Sequence, residues 1–274
     1  CKDVLGCRES FGVMSSENYV LLRGDQGAQR LERLGAATWP TTRRFFHRLG
    51  VAPGWRCLDV GCGVGTVTRR LAARTGHCLG VDIDPGFLRL AQERSDKASF
   101  QARSIYELDS LEERFDLVYA RYLLSHLSDP LTALQSMARV TRPGGIVAVE
   151  DIHFGRHFWH PECPALDRYV DLYERLVSQR GGNPRLGPEL LHLAQQAGLR
   201  EVSVEMVVPV YHRGPGKRIA EVTLAHIGES ARKAGLVEAQ EFRTMLRQIR
   251  QFRKLEHSQI SIAPTFQVSG IVVS

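Results

Sequence analysis

The chain has 274 residues, 43% of them apolar and 24% charged, which excludes a disordered or collagen-like polymer and allows one large α/β domain. It holds no run of about 18 apolar residues, so no membrane-spanning helix is expected. The net charge of +6 is too mild for a dedicated nucleic-acid binder, though it suits an anionic ligand.

Six cysteines occur, at Cys1, Cys7, Cys57, Cys62, Cys78 and Cys163, without any C-x-x-C pair. Reduced thiols are expected, and no zinc site. Cys1 opens the chain and the first methionine is Met14, so residues 1–14 are read as an extension or disordered tail. They have no secretory pattern, and the expected location is cytoplasmic.

Residues 15–50 read mostly as helix, with Leu31, Leu34, Phe45, Phe46 and Leu49 at helical steps and a break or turn predicted at Pro40. After the Pro53-Gly54 turn, residues 56–60 form a short apolar strand. A helix over 66–74 follows, with Gly76 past its end. The alternation continues: strand 78–82, helix 85–95, strand 98–102, strand 115–120, helix 130–140, a turn at Pro143-Gly144-Gly145, and strand 146–150. Strands alternating with helices predict a doubly wound, mostly parallel sheet.

Beyond Asp151 the rhythm changes. A helix over 164–179 carries Leu166, Tyr169, Val170, Tyr173, Leu176 and Val177 on one stripe. Residues 181–184 break it. Helix 188–197, a β-rich stretch over 202–211, helices over 216–234 and 237–256, and a final strand over 265–273 complete the reading.

The stretch Leu58-Asp59-Val60-Gly61-Cys62-Gly63-Val64-Gly65-Thr66 carries the most chemistry. A strand feeds a loop with three glycines, and a helix follows. Glycines let the backbone approach a ligand, and the helix start offers free N–H groups. A dinucleotide fingerprint has its third glycine where this chain has Thr66, which disfavours NAD. At the end of the next strand, Gly80-Val81-Asp82-Ile83-Asp84 places a carboxylate where a ribose diol lies, about 20 residues on. Asp82 is the better acceptor for such a diol. Asp84, before Pro85, reads as a helix cap.

Residues 58–66, 80–85, 115–119 and 139–145 resemble the ordered motifs of class I S-adenosylmethionine-dependent methyltransferases, in the subset that includes ubiquinone and menaquinone biosynthesis enzymes. The motif-bearing resemblance covers about residues 50–151, with a looser match from Tyr19 and through the C-terminal third. It implies a Rossmann-like, seven-stranded, mostly parallel sheet with a reversed last strand and a helical cap inserted after strand five. A single domain over 15–274 is then expected: helices covering the cofactor (15–50), the binding core (51–151), substrate-side helices with strand six (152–256) and the last strand (264–274).

The resemblance also implies roles. Asp59, Gly61 and Gly63 line the cofactor's methionine end, Cys62 and Gly65 belong to the same cofactor-binding loop, Asp82 binds the ribose, and Ile83 meets the adenine. Ser104 stands where the family often has an acid for the adenine amino group, and the Ile105 amide serves the ring. Arg121 sits near the methionine moiety, and Tyr19 and Arg30 near its carboxylate. The cofactor implied is S-adenosylmethionine, with S-adenosylhomocysteine as product.

Methyl transfer needs in-line alignment and, for some acceptors, a base. In open α/β sheets these groups follow the strand ends. Arg121, Tyr122, Ser125, His126, Glu150, Asp151 and His153 qualify, and His153 is the first choice for the base, against a structural histidine as the plainer reading. His126 reads mainly as structural. His153 and His157 have metal-ligand spacing, but Gly155 argues against a helix there and no metal is expected. Phe154, Phe158, Trp159, Tyr169 and Tyr173 read as an apolar pocket or as packing of the helix.

Arg243, Arg247, Arg250, Arg253 and Lys254 form a basic stripe opposite Phe242, Leu246, Ile249 and Phe252. It reads as a solvated face before an RNA surface. The expected partner is a small organic acceptor, and the expected state of the chain is a monomer or homodimer. The competing readings are an RNA or protein methyltransferase, and a non-catalytic S-adenosylmethionine-binding protein.

Overall fold

The computed structural model describes residues 24–273. The elements in order are α1 (Gly24–Arg48), β1 (Cys57–Val60), α2 (Thr68–Thr75), β2 (Cys78–Asp82), α3 (Pro85–Gln92), β3 (Ala98–Ala102), β4 (Phe115–Arg121), α4 (Pro130–Val140) and β5 (Thr141–Ile152). There follow β6 (Trp159–His160), α5 (Pro164–Gln179), α6 (Leu190–Gln196), β7 (Arg200–Val207), β8 (Val210–Tyr211), α7 (Ile219–Lys233), α8 (Ala239–Lys254), β9 (Gln259–Ser261) and β10 (Thr265–Ile271).

Seven strands form one sheet in the order β3-β2-β1-β4-β5-β10-β7. β1 to β5 pair in parallel, and β10 runs antiparallel to both β5 and β7. This is the seven-stranded sheet with a reversed last strand that the motifs implied. The strand order reverses between β1 and β4, and ligands in open α/β sheets lie outside the carboxyl ends of strands at such a point.

Alternation along the central strands explains the two covered faces. Leu117 and Tyr119 of β4 and Ala148 of β5 pack with Phe45, Phe46, Val67 and Leu71 on one side. Val118, Ala120, Val147 and Val149 pack with Leu134, Met137, Leu190 and Ala194 on the other. Separately, α5, α7 and α8 share a core of Leu166, Leu176, Leu224, Ile227, Ile249 and Phe252.

Three sequence expectations change. α1 runs unbroken through Pro40. The turn preceding Pro40 is tied to neighbouring segments: Tyr211 Oη donates to Ala37 O at 2.6 Å and Arg70 Nη1 to Gly35 O at 3.2 Å. The Pro143-Gly144-Gly145 turn lies inside β5 as a bulge, because Phe115 pairs with Thr141 while Leu117 pairs with Ile146. Residues 202–211 form two strands. β7 ends before Pro209, and β8 joins β9 and β6 in a small sheet that periodicity did not indicate. Among the described residues no helix is long and apolar enough to cross a membrane. Tyr19 and the 1–14 tail lie outside the described residues.

Candidate active site

The loop after β1 is anchored from behind. Gly61 N and Cys62 N both donate to Val81 O, at 2.8 and 3.0 Å. Gly61, Gly63 and Gly65 all have positive φ, at 69°, 52° and 70°, a backbone that other residues adopt only with strain. A Cβ on Gly61 would stand 2.9 Å from Leu123 Cδ2.

Asp82 closes the loop from β2. Its Oδ2 accepts from Gly63 N at 2.8 Å and its Oδ1 from Asp84 N at 2.9 Å. Burial raises its pKa, and these backbone bonds oppose the rise. A carboxylate offers about four acceptor sites, so each oxygen keeps room for one more donor. Asp84 caps α3, accepting from Gly86 N and Phe87 N.

Asp59, next to last in β1, is a buried carboxyl. Desolvation pushes it up to about 6, against a 2.6 Å bond from Thr68 Oγ1 and the field of Arg121. Arg121, at the end of β4, donates to Thr38 Oγ1 at 2.8 Å and Thr42 Oγ1 at 3.3 Å. Thr42 donates in turn to Glu150 Oε2 at 2.6 Å, which Tyr119 also bonds, while Gln267 Nε2 holds Oε1 at 2.6 Å. This network ties α1, β4, β5 and β10 behind the guanidinium. Tyr122 follows with φ of 54°, a strained tip of β4 whose hydroxyl meets Thr265 Oγ1 at 3.0 Å.

The glycine loop, Asp59, Asp82, Arg121 and Tyr122 line one cleft of about 1430 Å³, counting its open mouth. Its other wall is aromatic. Phe154 stacks on Tyr173 at 3.7 Å between ring centroids, with His157 and Tyr169 edge-on to Phe154 at 4.6 and 5.6 Å. His157 Nδ1 lies 2.6 Å from Phe154 O, and burial brings its pKa down to about 4. A neutral imidazole facing a carbonyl carries its proton on Nδ1, leaving a lone pair on Nε2. Arg30 of α1 is 7% exposed and donates through Nε to Thr223 Oγ1 at 3.4 Å, the hydroxyl that Tyr169 also bonds. Burial and the Arg30 charge bring His126 down to about 4 as well.

Residues 58–149 match the family described as "Methyltransferase domain". The methyltransferase GfsG of Streptomyces halstedii is 33% identical over 129 residues, 44% of this chain and 46% of that protein. The O-methyltransferase rstn1 of Aspergillus nomiae is 31% identical over 153 residues, 53% of this chain and 67% of that protein. The chain belongs to the class I S-adenosylmethionine-dependent methyltransferases. It spans about half to two thirds of the length of these curated relatives. Haemonchus contortus phosphoethanolamine N-methyltransferase 2, solved with phosphomonomethylethanolamine and S-adenosylhomocysteine, has a TM-score of 0.53 at 17% identity, over 86% of this chain and 53% of that one. At that identity the likeness is one of fold.

Within this methyltransferase the cleft gathers Arg30, Asp59, Gly61, Cys62, Gly63, Asp82, Ile83, Arg121 and His126 from the sequence-predicted set. Gly65 sits behind them, facing Phe100. Ser104 and Ile105 are not in the lining. Ser104 Oγ accepts from Tyr106 N and caps a 3₁₀ turn over Ile105–Ser110, while Ile105 is buried in the core.

His153 is also displaced from the expected place. Ile152 and Phe154 line the cleft, so alternation at the end of β5 turns His153 the other way, and its N–H pairs with Pro264 O at 3.0 Å. The one-turn 3₁₀ segment Phe154–Arg156 then brings His157 into the cleft. In the sequence His157 stood out only through its spacing from His153. Thr223, Ile262 and Ala263 were missed because nothing local marks a residue delivered from segments far downstream of the glycine loop. The α8 stripe is partly neutralised, since Arg250 and Arg253 both pair with Glu221 of α7.

Proposed function

We propose that this chain transfers the methyl group of S-adenosylmethionine to a small organic acceptor enclosed beneath α5 and α7. The observation that carries the reading is one continuous cleft joining the glycine loop and Asp82 to the wall of Phe154, His157, Tyr169 and Tyr173.

The residues fit that donor. The positive-φ glycines leave the loop without side chains toward the ligand, and Asp82 keeps one acceptor position on each oxygen for the ribose hydroxyls. Ile83 and Phe87 give an apolar seat for the adenine. Asp59 offers a carboxylate to the ammonium of the methionine end, and Arg30 and Arg121 offer guanidiniums to its carboxylate. When bound, S-adenosylmethionine supplies an electrophilic methyl on a sulfonium centre.

The protein's own part is alignment and proton handling. The aromatic wall excludes water and holds the acceptor on the line of attack. His157 Nε2 accepts a hydrogen bond from a hydroxyl or amine acceptor. A pKa near 4 keeps it unprotonated at pH 7, and it takes the proton as the attacking atom grows acidic on bonding to carbon. Arg250 and Arg253 of the α8 stripe share the single carboxylate of Glu221, so that part of the stripe is neutralised within the chain.

Calorimetric titration with S-adenosylmethionine, S-adenosylhomocysteine and NAD tests the donor half, followed by a screen of hydroxyl and amine acceptors with methyl-labelled donor. Binding of the first two alone, with label transferred to a small molecule, is the expected result. Folded protein that binds neither overturns the reading.

A further inference from the structure

A second hollow adjoins the cleft, and its charge is one-sided. Arg33 of α1, Arg213, Lys217 and Arg218 from the segment before α7, and Arg253 and Lys254 at the end of α8 line it, with His212 and a single acid, Glu256. Of the six cations only Arg253 has a carboxylate within 4 Å among the described residues, namely Glu221. Six positive groups with so little neutralisation repel one another, and the repulsion is relieved when an anion enters.

Lys217 makes this more than an exposed basic patch. The residue is 8% exposed, and its Nζ donates to Leu255 O at 2.8 Å. An ammonium has three donors and costs free energy to bury without an anion. Desolvation and the Arg253 charge accordingly lower its pKa. Lys217 lines the hollow together with Arg33 and Arg218, whose guanidinium forks suit a group carrying two negative charges and several oxygens.

The hollow and the cleft share a seam between α1 and α7. Arg33 lies one turn after Arg30, and Arg218 precedes Ile219; Arg30 and Ile219 both line the cleft. His226 of α7 feels both Arg30 and Arg33, which places it along that seam.

We propose that the basic hollow is an anion subsite for the methyl acceptor, holding a phosphate ester group while the reacting end lies in the cleft. This rests on the methyl-transfer reading for its purpose, and on the residues of the hollow alone for its anion affinity.

Inorganic phosphate and pyrophosphate, at constant ionic strength, are titrated into the wild-type chain and an Arg33→Gln/Arg218→Gln variant, both of exposed or half-buried positions. S-adenosylhomocysteine is titrated in parallel to report on the cleft. Saturable pyrophosphate binding that weakens about tenfold or more in the variant, with S-adenosylhomocysteine affinity unchanged, is expected, since a charge-assisted hydrogen bond lost from each fork is of that order. Equal pyrophosphate affinity in the two proteins, or none in the wild type, overturns the subsite. Anion binding without S-adenosylhomocysteine binding leaves the hollow's affinity standing and removes the methyl-transfer reading, and with it the acceptor role.

The acceptor screen separates the source of the phosphate. Phosphate monoesters are expected to exceed their dephosphorylated forms about tenfold in kcat/KM, and the preference is expected to vanish in the variant. Free phosphate altering turnover of uncharged acceptors, without any preference for esters, overturns the acceptor role. Tight RNA binding with a steep salt dependence, displaced only weakly by pyrophosphate, overturns it in favour of a nucleic-acid surface.

Discussion

Asp82→Ala isolates the carboxylate on which the nucleoside end of the proposed site depends. Each Asp82 oxygen already accepts one backbone N–H, from Gly63 and Asp84, and keeps one acceptor position for a ribose hydroxyl. Hydrogen bonds to a charged group contribute about 1.5–3 kcal/mol each, so losing two weakens binding by about 3–6 kcal/mol. That converts to roughly 10²–10⁴ in Kd. The freed Gly63 N–H loosens the loop and adds to the loss. Calorimetry with S-adenosylhomocysteine reads it directly. Asp84→Ala is the internal control, because Asp84 accepts from Gly86 N and Phe87 N as a helix cap; about 1 kcal/mol of stability is lost there, with affinity nearly unchanged. An Asp82→Ala affinity within threefold of wild type refutes the ribose assignment, and equal losses in the two variants refute the division of labour between them.

His157→Ala is expected to lower kcat about 10²- to 10⁴-fold for a hydroxyl acceptor while S-adenosylhomocysteine affinity holds; His153→Ala is expected to leave both near wild type. The reverse ranking in steady-state assays would return the base to His153. Asp59 gives a pH signature. Its free carboxyl titrates at about 6, and a bound ammonium favours the ionised form, so S-adenosylhomocysteine affinity is flat above about pH 6 and falls below it. Asp59→Asn flattens that fall, and an unflattened profile in the variant removes Asp59 from the ammonium site. The same raised pKa acts oppositely on stability without ligand: the folded state holds the proton more tightly, so this group's contribution declines as pH rises from about 4 to 6 and is constant above. Gly63→Ala forces a φ of 52° on a residue with a Cβ, 3.0 Å from Leu31 Cδ1. A loss of about 1–2 kcal/mol and a Tm lower by a few degrees are expected by calorimetry.

What was legible in the sequence follows from how local each signal is. The strand, glycine loop and helix over residues 58–75 lie within one stretch, and Asp82 stands at the end of the next strand, so chain order alone places them together. Short apolar runs indicated β4 and the second half of β5, and proline with a preceding aspartate indicated the starts of α3 and α4. Tertiary contacts overrode propensity at Pro40, where Tyr211 and Arg70 supply donors that no window around residue 40 contains. The three-stranded sheet was hidden for a related reason. β6 and β8 are two residues each and β9 is three, too short for any period to register, and they meet from three distant segments.

The acceptor wall shows the same limit with more consequence for function. The difference between His153 and His157 is one 3₁₀ turn after β5, a reversal that depends on Phe154 finding Tyr173 to stack on and Phe154 N finding Pro184 O at 2.8 Å. Both partners lie beyond the motif-bearing region. The sheet fixes the donor side through backbone and strand-end groups whose spacing is set by topology. The proposed acceptor side draws on α1, the segment after β5, α5, α7 and the stretch before β10, all outside the strands that carry the motifs. A fold of this class therefore announces its donor in the order of its residues, while the proposed acceptor site rests on side chains such as Thr223, His157 and Lys217, which sequence order alone does not bring together.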